Sequence, residues 1–96
     1  MIIHKLITIM TIDAATIKEA IKEHILQTTF VDKDKIKDDS LIFKEGYFDS
    51  MGFVVLITFL EEKFGIQAAD EDLVEENFES INAITSYIVR KKRFSS

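Results

Sequence analysis

Asp49-Ser50-Met51-Gly52-Phe53-Val54-Val55-Leu56-Ile57-Thr58-Phe59-Leu60-Glu61-Glu62-Lys63-Phe64-Gly65 reads as one helix with both ends marked. Asp49 is a good N-cap, because its carboxylate can accept from the free N–H groups of the first turn, and Gly65 suits the left-handed residue just past a helix end. At helical periodicity Phe53, Ile57, Leu60 and Phe64 fall within about 60° of one another, with Leu56 flanking them, and make the core face. The opposite side carries Met51, Val55, Thr58 and Glu62, with Gly52 and Phe59 to one side.

Upstream, Asp13 or Thr16 can cap a first helix through about Thr28, whose Ile17, Ala20, Ile21, His24, Ile25 and Thr28 share one side. The periodicity then lapses from Phe30 to Phe48. Connections of this length are uncommon in a compact domain unless they serve a purpose, and the apolar Leu41, Ile42 and Phe43 are expected to pin this one across the core. Downstream, the acidic Asp70, Glu71 and Asp72 favour a short third helix that brings Leu73, Val74 and Phe78 inward. Ser80 then caps a last helix from Ile81 to about Lys92, with Ile81, Ile84 and Ile88 on its core side and Arg90, Lys91, Lys92 and Arg93 complementing the dipole at its C-terminal end. The expectation is an all-α four-helix bundle of three longer helices and one short one, occupying residues 13–93. Residues 1–12 read as an extension and 94–96 as a tail. With no proline and no period-2 alternation after Met10, a sheet is not expected.

Composition narrows the chemistry. Ninety-six residues make one small domain with a modest core, and no apolar run approaches the ~18 residues of a spanning helix. The opening Met1–Met10 is a poor secretory signal, since the apolar stretch runs only from Leu6 to Ile12 with Thr8 and Thr11 inside it and no small-residue cleavage pattern closes it; Met10 is a possible second start. Without cysteine there is no disulfide, thiolate zinc site or thiol nucleophile, which suits a reducing cytoplasm. His4 and His24 are too few for most metal or triad chemistry, and His24 reads as a packed or boundary residue. From Asp38 to Glu79 twelve acids stand against two bases, Lys44 and Lys63, a net −10. Such a segment repels nucleic acid and attracts basic protein surfaces, unless it is simply a solvated face that keeps the chain dispersed.

Two catalytic or binding patterns fail on inspection. An EF-hand over Asp32 to Phe43 has Ile36 at the fifth position, Lys37 where glycine belongs and Phe43 in place of the bidentate glutamate. A nucleophile elbow at Ser50 has Phe48 where its first glycine belongs, and the chain is too short for that fold. What remains is Gly46-Tyr47-Phe48-Asp49-Ser50-Met51-Gly52. Ser50 in the first turn sits where free N–H groups and the positive end of the dipole favour a phosphate ester on its hydroxyl. Asp49 and Ser50 can equally be capping residues and nothing more.

Taken together, several features resemble the acyl and peptidyl carrier proteins. They are Asp49-Ser50-Met51 in place of the family's Asp-Ser-Leu, the preceding Leu41-Ile42-Phe43-Lys44-Glu45-Gly46, the helix end Leu60-Glu61-Glu62-Lys63-Phe64-Gly65-Ile66, and Asp70-Glu71-Asp72-Leu73 followed by Ile84 to Ile88. The match spans about Thr16 to Val89. The resemblance implies a non-catalytic carrier whose Ser50 receives 4′-phosphopantetheine from coenzyme A through a magnesium-dependent phosphopantetheinyl transferase. The imported thiol would hold an acyl or aminoacyl cargo as a thioester, between a loading enzyme and a downstream transferase. Such a protein is expected to be a cytoplasmic monomer that neither inserts in membranes nor binds nucleic acid.

The chain departs from the fatty-acid carriers at the outer face of the second helix. There the expected docking residues are the apolar Met51, Val55 and Phe59, with acids only at Glu61 and Glu62; Val55 and Phe59 can instead be covered by the long loop. Asp49-Ser50-Met51-Gly52 looks more like the D-alanyl and free-standing peptidyl carriers. Two other readings stay open: an unmodified acidic helical interaction module, and a regulatory domain switched by phosphorylation of Ser50.

Overall fold

The computed structural model describes residues 13–94; the readings placed on residues 1–12 and on residues 95–96 of the tail lie outside the described residues. Among the described residues the chain is all-helical: α1 (Ala14–Thr29), α2 (Ser50–Phe64), α3 (Glu75–Phe78) and α4 (Ile81–Phe94), with single 3₁₀ turns at Lys33–Lys35 and Asp70–Asp72. The expected carrier-type bundle of three long helices and one short one is therefore what forms, and α4 runs two residues beyond Lys92.

Each long helix starts where a side chain satisfies an otherwise open N–H. Asp13, rather than Thr16, caps α1, and accepts from the Thr16 N–H at 2.7 Å. Asp49 caps α2 by accepting from the Gly52 N–H at 2.9 Å, and Ser80 caps α4 by accepting from the Ala83 N–H at 3.1 Å. Gly65 closes α2 with φ 66 and returns its N–H to the Glu61 carbonyl at 3.0 Å.

The core is a set of isoleucines from α1 (Ile17, Ile21, Ile25) and α4 (Ile81, Ile84, Ile88), closed by Leu56 and Leu60 of α2 and by Phe78 of α3. On α2 the buried centre is thus Leu56 and Leu60, whereas Phe53, Ile57 and Phe64 are half-buried. The centre of the stripe is rolled by about 50° toward Leu56, about half a residue at helical periodicity. Its cause is α1, which lies across the Leu56 side and offers His24 as a platform for Phe59, drawing that ring into the structure as well.

The 30–48 connection is ordered by its own hydrogen bonds. Residues 41–46 fold into a compact turn in which the Glu45, Gly46 and Tyr47 N–H groups donate to the Leu41, Phe43 and Ile42 carbonyls, and Gly46 leaves it at φ 82. This buries Ile42 completely and Phe43 partly, while Leu41 stays exposed, so the apolar trio pins the loop mainly through its middle member. Two ties, Ile42 N–H to the Glu79 carbonyl (3.0 Å) and Asn82 N–H to the Asp38 carbonyl (2.9 Å), fasten the loop to the α3–α4 corner.

The third element differs from expectation. Asp70–Asp72 form a separate 3₁₀ turn, Leu73 and the extended Val74 are exposed outside any helix, and only Phe78 points inward. The Asp72 carboxylate is the reason: it accepts from the Ala69 N–H (3.0 Å), the Tyr87 hydroxyl (3.0 Å) and Lys91 (2.9 Å), which fixes it to α4 rather than at the head of a helix. These partners, Lys91 first, hold its carboxyl below the usual aspartate range, and burial together with Asp72 pushes the Tyr87 hydroxyl up. The basic end of α4 likewise reaches outward. Lys92 donates to the Phe64 carbonyl at the end of α2 (2.8 Å) and Arg90 to Asn77 (2.8 Å).

Truncation should follow burial rather than periodicity. Leu56→Ala and Leu60→Ala are each expected to destabilise the domain by ~2–5 kcal/mol through the cavity they leave. Phe64→Ala, at a position already partly exposed, should cost less, about 1–2 kcal/mol. Denaturant melts of the three variants check that order.

Candidate functional site at the head of the second helix

Ser50 is the first residue of α2 and is exposed, directly after the capping Asp49. Because Asp49 occupies the Gly52 N–H and the Asp49 carbonyl takes that of Phe53 (3.0 Å), the N–H groups of Ser50 and Met51 are left, by helix geometry, without an intrahelical acceptor. They lie at the positive end of the helix dipole, an environment that favours a phosphate on the serine oxygen.

The approach to Ser50 is shaped by a close contact that the sequence reading did not single out. A Cβ on Gly52 would stand 2.6 Å from the Phe48 ring, so only glycine lets Phe48 pack down on the first turn of α2. Phe48, 9 % exposed, thereby fills the floor between the loop and the helix and also meets Phe43, ring centroids 5.7 Å apart. Its signal was the small residue two places after the serine, which periodicity alone treats as part of the outer face.

Two depressions flank Ser50. One, of about 570 Å³, opens between α2 and the 73–78 segment; Phe43, Phe53, Val54, Leu73, Val74 and Phe78 give it apolar walls, and Ser50 stands among the lining residues beside Asp49 and Glu75. The other, of about 800 Å³, lies between the end of α1 and the start of α2, with Phe30, Tyr47, Met51 and Val55 among its walls. Phe30 turns the chain off α1 in the left-handed conformation (φ 56). Among the described residues no cluster of three potential metal ligands exists, and no helix is long and apolar enough to cross a membrane.

The family model described as the phosphopantetheine attachment site matches residues 19–88. The chain is 38% identical over 84 residues to the acyl carrier protein of Chloroherpeton thalassium, covering 88% of this chain and all of that protein. It is 36% identical over 77 residues to that of Chlorobium phaeobacteroides, covering 80% and 96%, and 30% identical over 74 residues to that of Helicobacter hepaticus, covering 77% and 95%. This chain belongs to the acyl carrier protein family. It is a carrier rather than an enzyme, and bears acyl groups on a covalently attached 4′-phosphopantetheine. The site fits that group: an exposed hydroxyl at a helix N-terminus suits its phosphate, and an apolar cleft beside it suits what the arm carries.

The residues expected to dock partners of this carrier separate into two kinds. Met51 (70 % exposed) and Val55 (44 %) stand open, and Val54 (59 %), which the sequence reading passed over, joins them. The long loop does not cover them. Phe59 is different: its ring is stacked on His24 of α1 at 4.1 Å and 12°, and is half-buried. Glu61 is half-buried and accepts from the Ala68 N–H at 3.0 Å, which holds the chain after Gly65, while Glu62 remains exposed.

His24 is therefore a packing residue, as its place on the inner side of α1 implied. Burial holds its imidazole below the ordinary histidine range, and its Nε2 has no hydrogen-bond partner among the described residues; Glu23 and Lys63 line the same recess. A depressed histidine pKa means that the fold prefers the neutral ring. Its contribution is fully present above the unfolded value of about 6.5 and is lost as pH falls through the lower folded value. Melts across this range should show wild type losing stability on the acid side more steeply than His24→Phe, which keeps the stacking without the charge.

Proposed function

We propose that Ser50 is the attachment residue for the arm. The observation that carries this is its exposed hydroxyl in the first turn of α2, after the Asp49 cap and at the mouth of the apolar cleft. In the transfer, Ser50 Oγ forms a new bond to the pantetheine phosphorus of coenzyme A, the bond to adenosine 3′,5′-bisphosphate breaks, and the hydroxyl proton leaves to a base. That base belongs to a separate phosphopantetheinyl transferase, since Ser50 itself has neither a histidine nor a metal cluster at hand among the described residues. Once attached, the arm supplies a terminal thiol that holds cargo as a thioester, so a chain without cysteine needs no sulfur of its own. The chain's residues do the rest. Asp49 fixes the turn, Gly52 and Phe48 set its floor, and the cleft walls shield apolar cargo from water.

For cargo, the names of the relatives favour an acyl over an aminoacyl group, although Asp49-Ser50-Met51 looks like the aminoacyl carriers. We place the carrier in the cytoplasm as a monomer that meets its loading enzyme and downstream transferase through the first turns of α2. Met51, Val54 and Val55 give apolar contact there, with Glu62 steering basic partners. Phe59 and Glu61 support that face from beneath.

Incubated with coenzyme A and a broad-specificity phosphopantetheinyl transferase, the wild type should gain one phosphopantetheinyl mass and Ser50→Ala none, with helicity unchanged. A mass gain on the alanine variant would move the site to Ser40, Ser80, Ser86, Ser95 or Ser96, and a wild type that stays unmodified would return the chain to the reading of an unmodified interaction module.

Docking is tested by kinetics against the cognate loading enzyme. Val55→Asp should raise the dissociation rate, whereas Glu62→Lys should mainly slow association and reduce its salt dependence. If Val55→Asp binds like wild type while changes at Glu75, Glu76 and Glu79 cripple binding, the docking surface is α3 and the residue after it.

A further inference from the structure

We infer that Phe30, at the end of α1, is an apolar anchor for the phosphopantetheinyl transferase, which seats an apolar side chain of its own in the depression that Phe30 shares with Met51 and Val55; the inference rests on Ser50 bearing the arm. Phe30 stands apart on two counts. Among the described residues it is the most open large apolar side chain, 91 % exposed, and the one residue other than glycine with a positive φ, 56°.

The fold accounts for that conformation but not for the ring. A left-handed residue past a helix end lets the chain turn back, and here it brings Val31 in against the core. Glycine or asparagine makes such a turn at least cost. A bulky side chain adds strain there, and this one buries almost nothing in return.

What the ring does is wall the depression of about 800 Å³ between the end of α1 and the start of α2, together with Met51 and Val55. Asp49 is the one charged side chain lining it among the described residues, and its carboxylate already accepts from the Gly52 N–H. An apolar group is therefore what fits. Of the carrier's partners, the transferase is the one that has to come here. Enzymes that act later meet the end of the arm, whereas the transferase must bring the phosphorus of coenzyme A to the Ser50 oxygen itself. Its surface therefore covers Asp49 and Met51, on either side of Ser50, and both line the depression. Such an apolar contact resists salt, unlike steering by exposed acids.

The test follows phosphopantetheinylation by intact mass with the broad-specificity transferase, varying the carrier concentration at low and at high salt. It compares wild type, Phe30→Gly, Phe30→Asn and Leu41→Ala, the last an exposed apolar residue outside the depression. Both Phe30 variants suit a left-handed position and should melt no lower than wild type. Each should raise KM for the carrier several-fold at both salt concentrations with kcat little changed, while Leu41→Ala keeps the wild-type constants. The inference is overturned if both Phe30 variants keep the wild-type KM, if Leu41→Ala raises it as much, or if the effect vanishes at high salt. Phe30 variants that melt well below wild type would make the ring a structural residue and overturn it as well. So would a wild type that sediments as a dimer and is split by Phe30→Gly, since the depression would then belong to a second copy. Absence of any mass gain on the wild type would overturn the Ser50 reading, and this inference with it.

Discussion

The pairing of α1 with α4 is the contact from which the other parts hang. Ile17, Ile21 and Ile25 on one helix and Ile81, Ile84 and Ile88 on the other recur at three- and four-residue spacing, so each presents a continuous β-branched stripe. Neither stripe can be left in water, and in a chain this small the two supply most of the aliphatic core. α2 then closes the bundle with two leucines only. That economy leaves much of its first half free, and the first half is where Ser50 stands.

What turns this free end into a site is a steric allowance rather than a catalytic device. Gly52 admits Phe48, Phe48 meets Phe43, and the 41–46 turn carries Phe43 into place while Ile42 anchors it to the core. The long connection therefore has a definite purpose. It builds one side of the cleft and seats the residue before the cap, so the serine is presented on the first turn of a capped helix.

Charge is divided between holding the fold and advertising it. The bases of α4 are drawn to Asp72, Asn77 and the open carbonyl of Phe64, contacts that fix the 69–78 segment and the end of α2 against the same helix. Exposed pairs such as Lys18 and Lys22 with Asp38 add little by comparison. With these bases engaged at one end, the acids between Asp38 and Glu79 present the net negative surface that a basic partner enzyme would meet.

The sequence by itself determined the helical class, the three long helices with their Asp49 and Ser80 caps, the Gly65 stop and the inward stripes of α1 and α4, and it marked Ser50 as the candidate for modification, while the first cap stayed open between Asp13 and Thr16. These are local matters, decided by spacing and by which side chain can reach a nearby N–H. Only the tertiary structure decided which part of the α2 stripe lies deepest, because apolar residues stand on both sides of that helix, Met51, Val54 and Val55 as well as Phe53, Ile57 and Leu60, and the border is drawn by what a neighbour covers. It likewise decided the fate of the acidic run: Asp70, Glu71 and Asp72 look like a helix start, yet Tyr87 and Lys91, fifteen and nineteen residues along the chain from Asp72, capture its carboxylate and break the element in two. Phe59 and Glu61 went the same way, to His24 and to the Ala68 N–H, since an exposed position on an isolated helix becomes an interior one wherever another part of the chain supplies a better partner than water.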